Sequence, residues 1–177
     1  MLAAELLLRA LGFGNPPLAR VDPAAEYVLQ PGEYRRFGND IHINRHGLRS
    51  DDWGDGPAPR EAHVALFGDS VVYGNHDLDQ RHTIAARLQE LLRADRHPGT
   101  WVSAIAVSSW GPANLLNFYR QRGPFPGVAA VVVVSSHDLE DHPTFRQADI
   151  PYRLVAPWSA TTDFLSALHG RFLASAP

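Results

Sequence analysis

The sequence has no cysteine in its 177 residues, so disulfide bridges and thiolate metal sites are excluded and the redox compartment stays open. It has no long basic run. The nearest approach is Tyr34-Arg35-Arg36, too short for a nucleic-acid tract, and the formal net charge is −3. No nucleic-acid partner is expected. It also lacks a stretch that could span a bilayer. The N-terminal MLAAELLLRALGFG is broken by Glu5 and Arg9, and it has neither a basic leader nor a small-residue cleavage site. No signal peptide is expected, which leaves a cytoplasmic or a membrane-proximal chain. Internal repeats are absent as well.

What the sequence does contain is a change of rhythm. Residues 1–60 are punctuated by Asn15-Pro16-Pro17, Asp22-Pro23, Gln30-Pro31-Gly32 and Asp55-Gly56-Pro57. They read as an N-terminal helix, with Leu2, Leu6, Leu7 and Leu11 docking on the core, followed by an irregular arm. One short strand is expected in it, at Asp40 to Asn44, where polar and apolar residues alternate.

From residue 61 the pattern is strand, helix, strand, helix, strand. Val64-Ala65-Leu66-Phe67 runs into glycine, and Thr83 caps a helix carrying Ile84, Leu88, Leu91 and Leu92 on one face. Trp101 to Val107 is the second strand, and Pro112 opens the second helix. Ala129 to Val134 is an unbroken apolar run that suits a central strand covered on both faces. A last helix is expected from Ser159 to Ala174, with Leu165, Leu168 and Phe172 on one side. The fold class is α/β, a three-layer parallel sheet with an irregular N-terminal arm.

Ligands bind at the carboxyl ends of the strands in such sheets. Three ends here carry polar clusters: Gly68-Asp69-Ser70, Ser108-Ser109-Trp110-Gly111 and Ser135-Ser136-His137-Asp138. A serine just past a strand can present its hydroxyl at the sheet edge with its own N–H free for an oxyanion. Ser70 is thus the candidate nucleophile.

Gly68-Asp69-Ser70 with Gly74 resembles the nucleophile block of the SGNH, or GDSL, hydrolases. The segments AVSSWGPANLL (106–116), VVVVSSHDLED (131–141) and INRHGLRSDD (43–52) are similar to further blocks of that family. The resemblance covers about Glu5 to about Leu168 and implies a flavodoxin-like α/β/α fold. It implies a serine esterase or O-acyl transferase acting on an acylated small molecule or glycan ester, without a cofactor. Ser70 would attack, while Ser109 or Gly111 would donate a backbone N–H to the oxyanion. Asp69, Trp110 and Asp138 would shape the substrate site.

The departures are specific. Ser109 stands at the oxyanion glycine and His137 at the usual asparagine of the third block. No Asp-x-x-His motif follows residue 142, so the domain from 61 to 177 reads as incomplete at its C-terminus. Asp79-Gln80-Arg81-His82 has the spacing but precedes a helix. The base is then His137 or His142, oriented by Asp138 or Asp141, or it comes from a partner chain. Otherwise the chain is a binding or scaffold module. One sheet edge is expected to stay open for a partner chain or a homo-oligomer, unless the last helix covers it. His137, Asp138, Asp141 and His142 match no zinc signature, so no metal is expected. Arg49 is expected to be buried against a carboxylate, Asp69 or Asp138.

Overall fold

The structure is a computed structural model and describes residues 2–52, 62–123, 128–138 and 140–174. The chain begins with α1 (Leu2–Ala10), then forms two antiparallel hairpins, β1 (Ala19–Asp22) with β2 (Glu26–Leu29) and β3 (Gly32–Arg36) with β4 (Asn39–Ile43). It continues through β5 (Ala62–Gly68), α2 (Ser70–Tyr73), α3 (Ile84–Ala94), β6 (Thr100–Ala106), α4 (Pro112–Arg122), β7 (Val128–Val132) and α5 (Ala160–Ala174). The fold is mixed α/β, a three-stranded parallel sheet flanked by helices. The expected turn at Asp55-Gly56-Pro57 and the side chain of Phe172 lie outside the described residues.

The sheet order is β6-β5-β7, with both pairs parallel. This corrects the reading of Ala129 to Val134 as a central strand. The central strand is β5, and β7 is an edge on which Ala129, Ala130, Val131 and Val132 are all exposed. Strand order is set by long-range pairing, which an apolar run does not encode. The other edge, β6, is covered by side chains. Gln89 accepts the Val102 N–H at 2.9 Å, Ser50 Oγ accepts the Ala104 N–H at 3.2 Å, and Arg93 donates to the Thr100 carbonyl at 2.9 Å.

The first fifty residues are more than an irregular arm. Tyr27, Val28, Leu29, Ile41, Ile43 and Leu48 are buried in the same core as Leu66, Ile105 and Trp110. Thr83 caps α3 as expected, its hydroxyl accepting the Ala86 N–H at 3.3 Å. Leu88 and Leu92 pack on the core, whereas Ile84 and Leu91 of the expected face are exposed.

The N-terminal helix is turned the other way from its expected docking. Leu2, Leu6, Leu7 and Leu11 are exposed, and Glu5 faces inward. Its carboxylate accepts the N–H groups of Ala160 (2.8 Å) and Thr161 (3.1 Å) and the Thr161 hydroxyl (2.9 Å), so Glu5 caps the start of α5. These bonds, the Ala160 N–H first, hold the Glu5 carboxyl down at about 2. Leu165 and Leu168 are likewise exposed, and α5 packs on α1 rather than on the sheet edge. It presents Ala160, Asp163 and Phe164, with the Phe13 ring meeting Phe164 edge-on at 5.2 Å. No helix among the described residues is long and apolar enough to cross a membrane.

Candidate functional site

Asp69 leaves β5 and caps α2, its Oδ1 accepting the Val71 N–H at 2.9 Å. Ser70 therefore opens a helix, where its own N–H has no intrahelical partner. Its half-buried hydroxyl donates to Asp69 Oδ2 at 3.4 Å. Gly74 ends the turn in the left-handed region, at φ 78°, and returns its N–H to the Ser70 carbonyl.

The strand ends converge as the sequence suggests. Ser135, after β7, reaches Asp69 Oδ2 at 3.5 Å and Asp138 Oδ1 at 3.1 Å with one hydroxyl. Ser108, after β6, donates to Asn75 Oδ1 at 2.8 Å, which ties the β6 end to the loop behind Ser70. The Asp141 carbonyl lies over Gly111, where a Cβ would sit 2.0 Å from that oxygen, so only glycine admits this approach.

Several expected roles change. The Gly111 N–H is donated to Asn114 Oδ1 at 3.1 Å and is not free for an oxyanion. Trp110 is fully buried, packs on Phe118 at 5.4 Å and donates to the Tyr27 carbonyl at 3.1 Å. It is a core side chain. Asp138 is also buried. It closes the turn on Ser135, accepting its N–H at 2.5 Å as well as its hydroxyl, and so positions Ser135. Arg49 is buried, but its partners are not carboxylates. It donates to Gln80 Oε1 (2.9 Å) and to the carbonyls of Tyr73 (3.3 Å), Asn75, Asp40 (3.3 Å) and Leu78 (2.6 Å). It thereby holds the loop that follows α2.

Ser109 has φ 62° and is exposed. A serine in the left-handed region is uncommon and costs about 1 kcal/mol or more, a strain that clusters at functional turns. No hydrogen bond is made by its N–H among the described residues. His137 and His142 are exposed, and among the described residues neither imidazole makes a hydrogen bond or ion pair, although the His137 carbonyl accepts the N–H groups of Glu140 (2.9 Å) and Asp141 (3.3 Å). His82 and His169 are exposed too. Among the described residues no group of three or more His, Asp or Glu is arranged to hold a metal ion.

Sequence reasoning missed an aromatic box beside the site. His76 Nε2 meets the Tyr73 hydroxyl at 3.2 Å, and its ring lies 6.1 Å from that of Tyr73 and 6.0 Å from that of Tyr152. The Tyr152 ring also meets those of Tyr73, at 6.2 Å and edge-on, and Tyr27, at 6.1 Å, and Tyr27 donates to the Ser108 carbonyl at 2.5 Å. Burial raises all three tyrosines above the ordinary phenol range, so they stay protonated. The available signal was local: His76 and the left-handed Asn75 sit in the turn directly behind Ser70.

Burial, then the positive charges of Arg36 and Arg49, lowers the His76 imidazole from 6.5 to about 4. Between these values the unfolded chain binds a proton that the folded chain does not. Stability should therefore be full above pH 6.5 and fall as the pH drops toward 4, by up to about 3 kcal/mol. Urea unfolding across that window measures this decline, and His76→Phe should flatten it. An unchanged slope in the variant would place the titrating group elsewhere.

No family model, curated protein or solved structure matches the chain.

Proposed function

We propose that the chain is an SGNH-type serine esterase or O-acyl transferase domain with Ser70 as nucleophile. The observation that carries this reading is the placement of Ser70. It stands at the first turn off the central strand, between two other strand ends, with its N–H unspent. The parallel strands, taken in chain order, lie second-first-third, which is how the flavodoxin-like order begins.

In this reading Ser70 Oγ attacks an ester carbonyl carbon, and the alcohol leaves with the proton that Ser70 gave up. The N–H groups of Ser70 and Ser109 hold the oxyanion. The acyl group then passes to water or to a sugar hydroxyl. The base is His137 or His142, both on the loop that packs over Gly111, or it is supplied by another chain. A serine hydroxyl is a weak nucleophile without one.

One observation favours a second reading, a binding module on the same scaffold. The nearest acceptor for the Ser70 hydroxyl is Asp69, at a long 3.4 Å, and no histidine nitrogen bonds it among the described residues. Labelling with a fluorophosphonate probe, alongside hydrolysis of a short p-nitrophenyl ester, separates the two. The enzyme reading expects labelling and turnover that fall by at least about 100-fold in Ser70→Ala. A folded wild-type chain that does not label would show that this chain alone carries no base for Ser70, which rules out His137 and His142 in that role and is what the binding-module reading expects.

A further inference from the structure

We propose that Asn75 is a positioning residue for the candidate site: by accepting the Ser108 hydroxyl at 2.8 Å it fixes the strained turn that presents the Ser109 N–H beside Ser70. That role rests on the serine reading of the site. Strand register brings the two loops together. Gly68 of β5 pairs with Ala106 of β6, so Ser70 and Ser108 each stand two residues past the last rung of one parallel pair. Asn75 directly follows the turn that Ser70 opens, because the Gly74 N–H returns to the Ser70 carbonyl at 2.9 Å. The bond between Ser108 and Asn75 therefore fastens the loop after β6 to the nucleophile turn after β5.

The turn from Ser108 to Gly111 is fastened on both sides of Ser109. The Ser108 carbonyl accepts the Tyr27 hydroxyl at 2.5 Å, Trp110 is buried and donates to the Tyr27 carbonyl at 3.1 Å, and the Gly111 N–H is donated to Asn114 at 3.1 Å. Ser109 alone of the four is exposed, at φ 62°. Asn75 is itself left-handed, at φ 43°, and Arg49 donates to its carbonyl, which pins its backbone. A left-handed asparagine thus bonds the residue just before a left-handed serine, through a hydrogen bond that is open to solvent. An exposed neutral bond adds little to stability, whereas left-handed backbone subtracts from it. The arrangement is costly as structure and useful as a brace. Without the bond, Ser109 can relax to an ordinary negative φ, which swings the preceding peptide and takes its N–H out of line with Ser70.

Fluorophosphonate labelling and p-nitrophenyl ester turnover of Asn75→Gly, Ser108→Ala and the double variant test this on the full chain. Glycine removes the acceptor without adding strain at φ 43°. Each single variant should lose about 10- to 100-fold in labelling rate and in kcat, with KM little changed. The double variant should lose no more than either single one, because both remove the same bond. Losses that multiply would overturn the proposal, since Asn75 would then act on the oxyanion itself. So would wild-type rates in either single variant. A cycle of melting temperatures needs no chemistry. Ser109→Gly should raise the melting temperature of the otherwise wild-type chain by about 2–4 °C, by relief of the left-handed strain. In the Asn75→Gly background that gain should disappear, because Ser109 is already free to relax. An equal gain in both backgrounds would overturn the proposal even if no chain labels. A vanished gain in a chain that does not label would keep Asn75 as the brace and remove only the serine chemistry.

Discussion

Replacing Arg49 by alanine should cost the protein about 3–5 kcal/mol, which for a chain of this size lowers the melting temperature by roughly 10 °C. The guanidinium is 1% exposed and serves four backbone carbonyls and one amide oxygen, drawn from Asp40 and from the separate segment between Tyr73 and Gln80. Alanine leaves these acceptors buried without donors and opens a cavity among them. Arg49→Lys should recover only part of the loss, because an ammonium has three donors and cannot span the fork. The acceptors at Tyr73, Asn75 and Leu78 belong to the segment that follows Ser70, so the rate of fluorophosphonate labelling should fall along with stability. Thermal and urea unfolding of both variants measure the first effect. A variant of wild-type stability would show that the loop is held by other contacts.

A loss of similar size is expected from Asp163→Ala. Asp163 is 1% exposed, pairs with Arg36 through both carboxylate oxygens, and accepts the Gly14 N–H at 2.9 Å. Arg36 lies between the rings of Phe13 and Phe37, at 4.9 and 4.8 Å from their centroids, and its Nε already has no hydrogen-bond partner. Removing the carboxylate strands a buried cation, at about 3–5 kcal/mol, whereas breaking an exposed pair costs well under 1. The double variant Arg36→Met, Asp163→Leu should regain much of the deficit, since it removes the stranded charge. Limited proteolysis should then find the first fourteen residues released in Asp163→Ala and retained in the double variant. If both behave alike, the ion pair is not what fastens the N-terminal segment.

Part of this was open to reading in the sequence. Local signals marked β5, α3 and α4: an apolar run ending in glycine, a threonine cap and a proline in the first turn. Ser70 was visible as a candidate because the hydroxyl, its turn and its strand lie within a dozen residues. Everything set by distant partners was hidden. The run at Ala129 shows that a strand is apolar but not that its neighbour lies on one side only. Arg49 finds carbonyls, and carbonyls have no signature in side-chain identity. Trp110 stands next to a candidate oxyanion turn, and only the packing of Phe118 and Tyr27 reveals it as core. The box of Tyr27, Tyr73, His76 and Tyr152 draws on segments separated by more than a hundred positions. Leu2, Leu6 and Leu7 misled for a related reason: helical spacing identifies an apolar face but not which face the neighbours take, and here Glu5 faces inward.

The bonds from Glu5 and Gly14 to α5 join positions 155 and 149 residues apart. During synthesis the first helix leaves the ribosome long before its partner exists. At about 5–20 residues per second, it waits on the order of ten to thirty seconds for Asp163 and Ala160. For that interval Glu5, Gly14 and Phe13 are without their partners on α5, and the parallel sheet can form first around β5. A clasp between segments this far apart in sequence carries a large loop-closure cost and is expected late in folding.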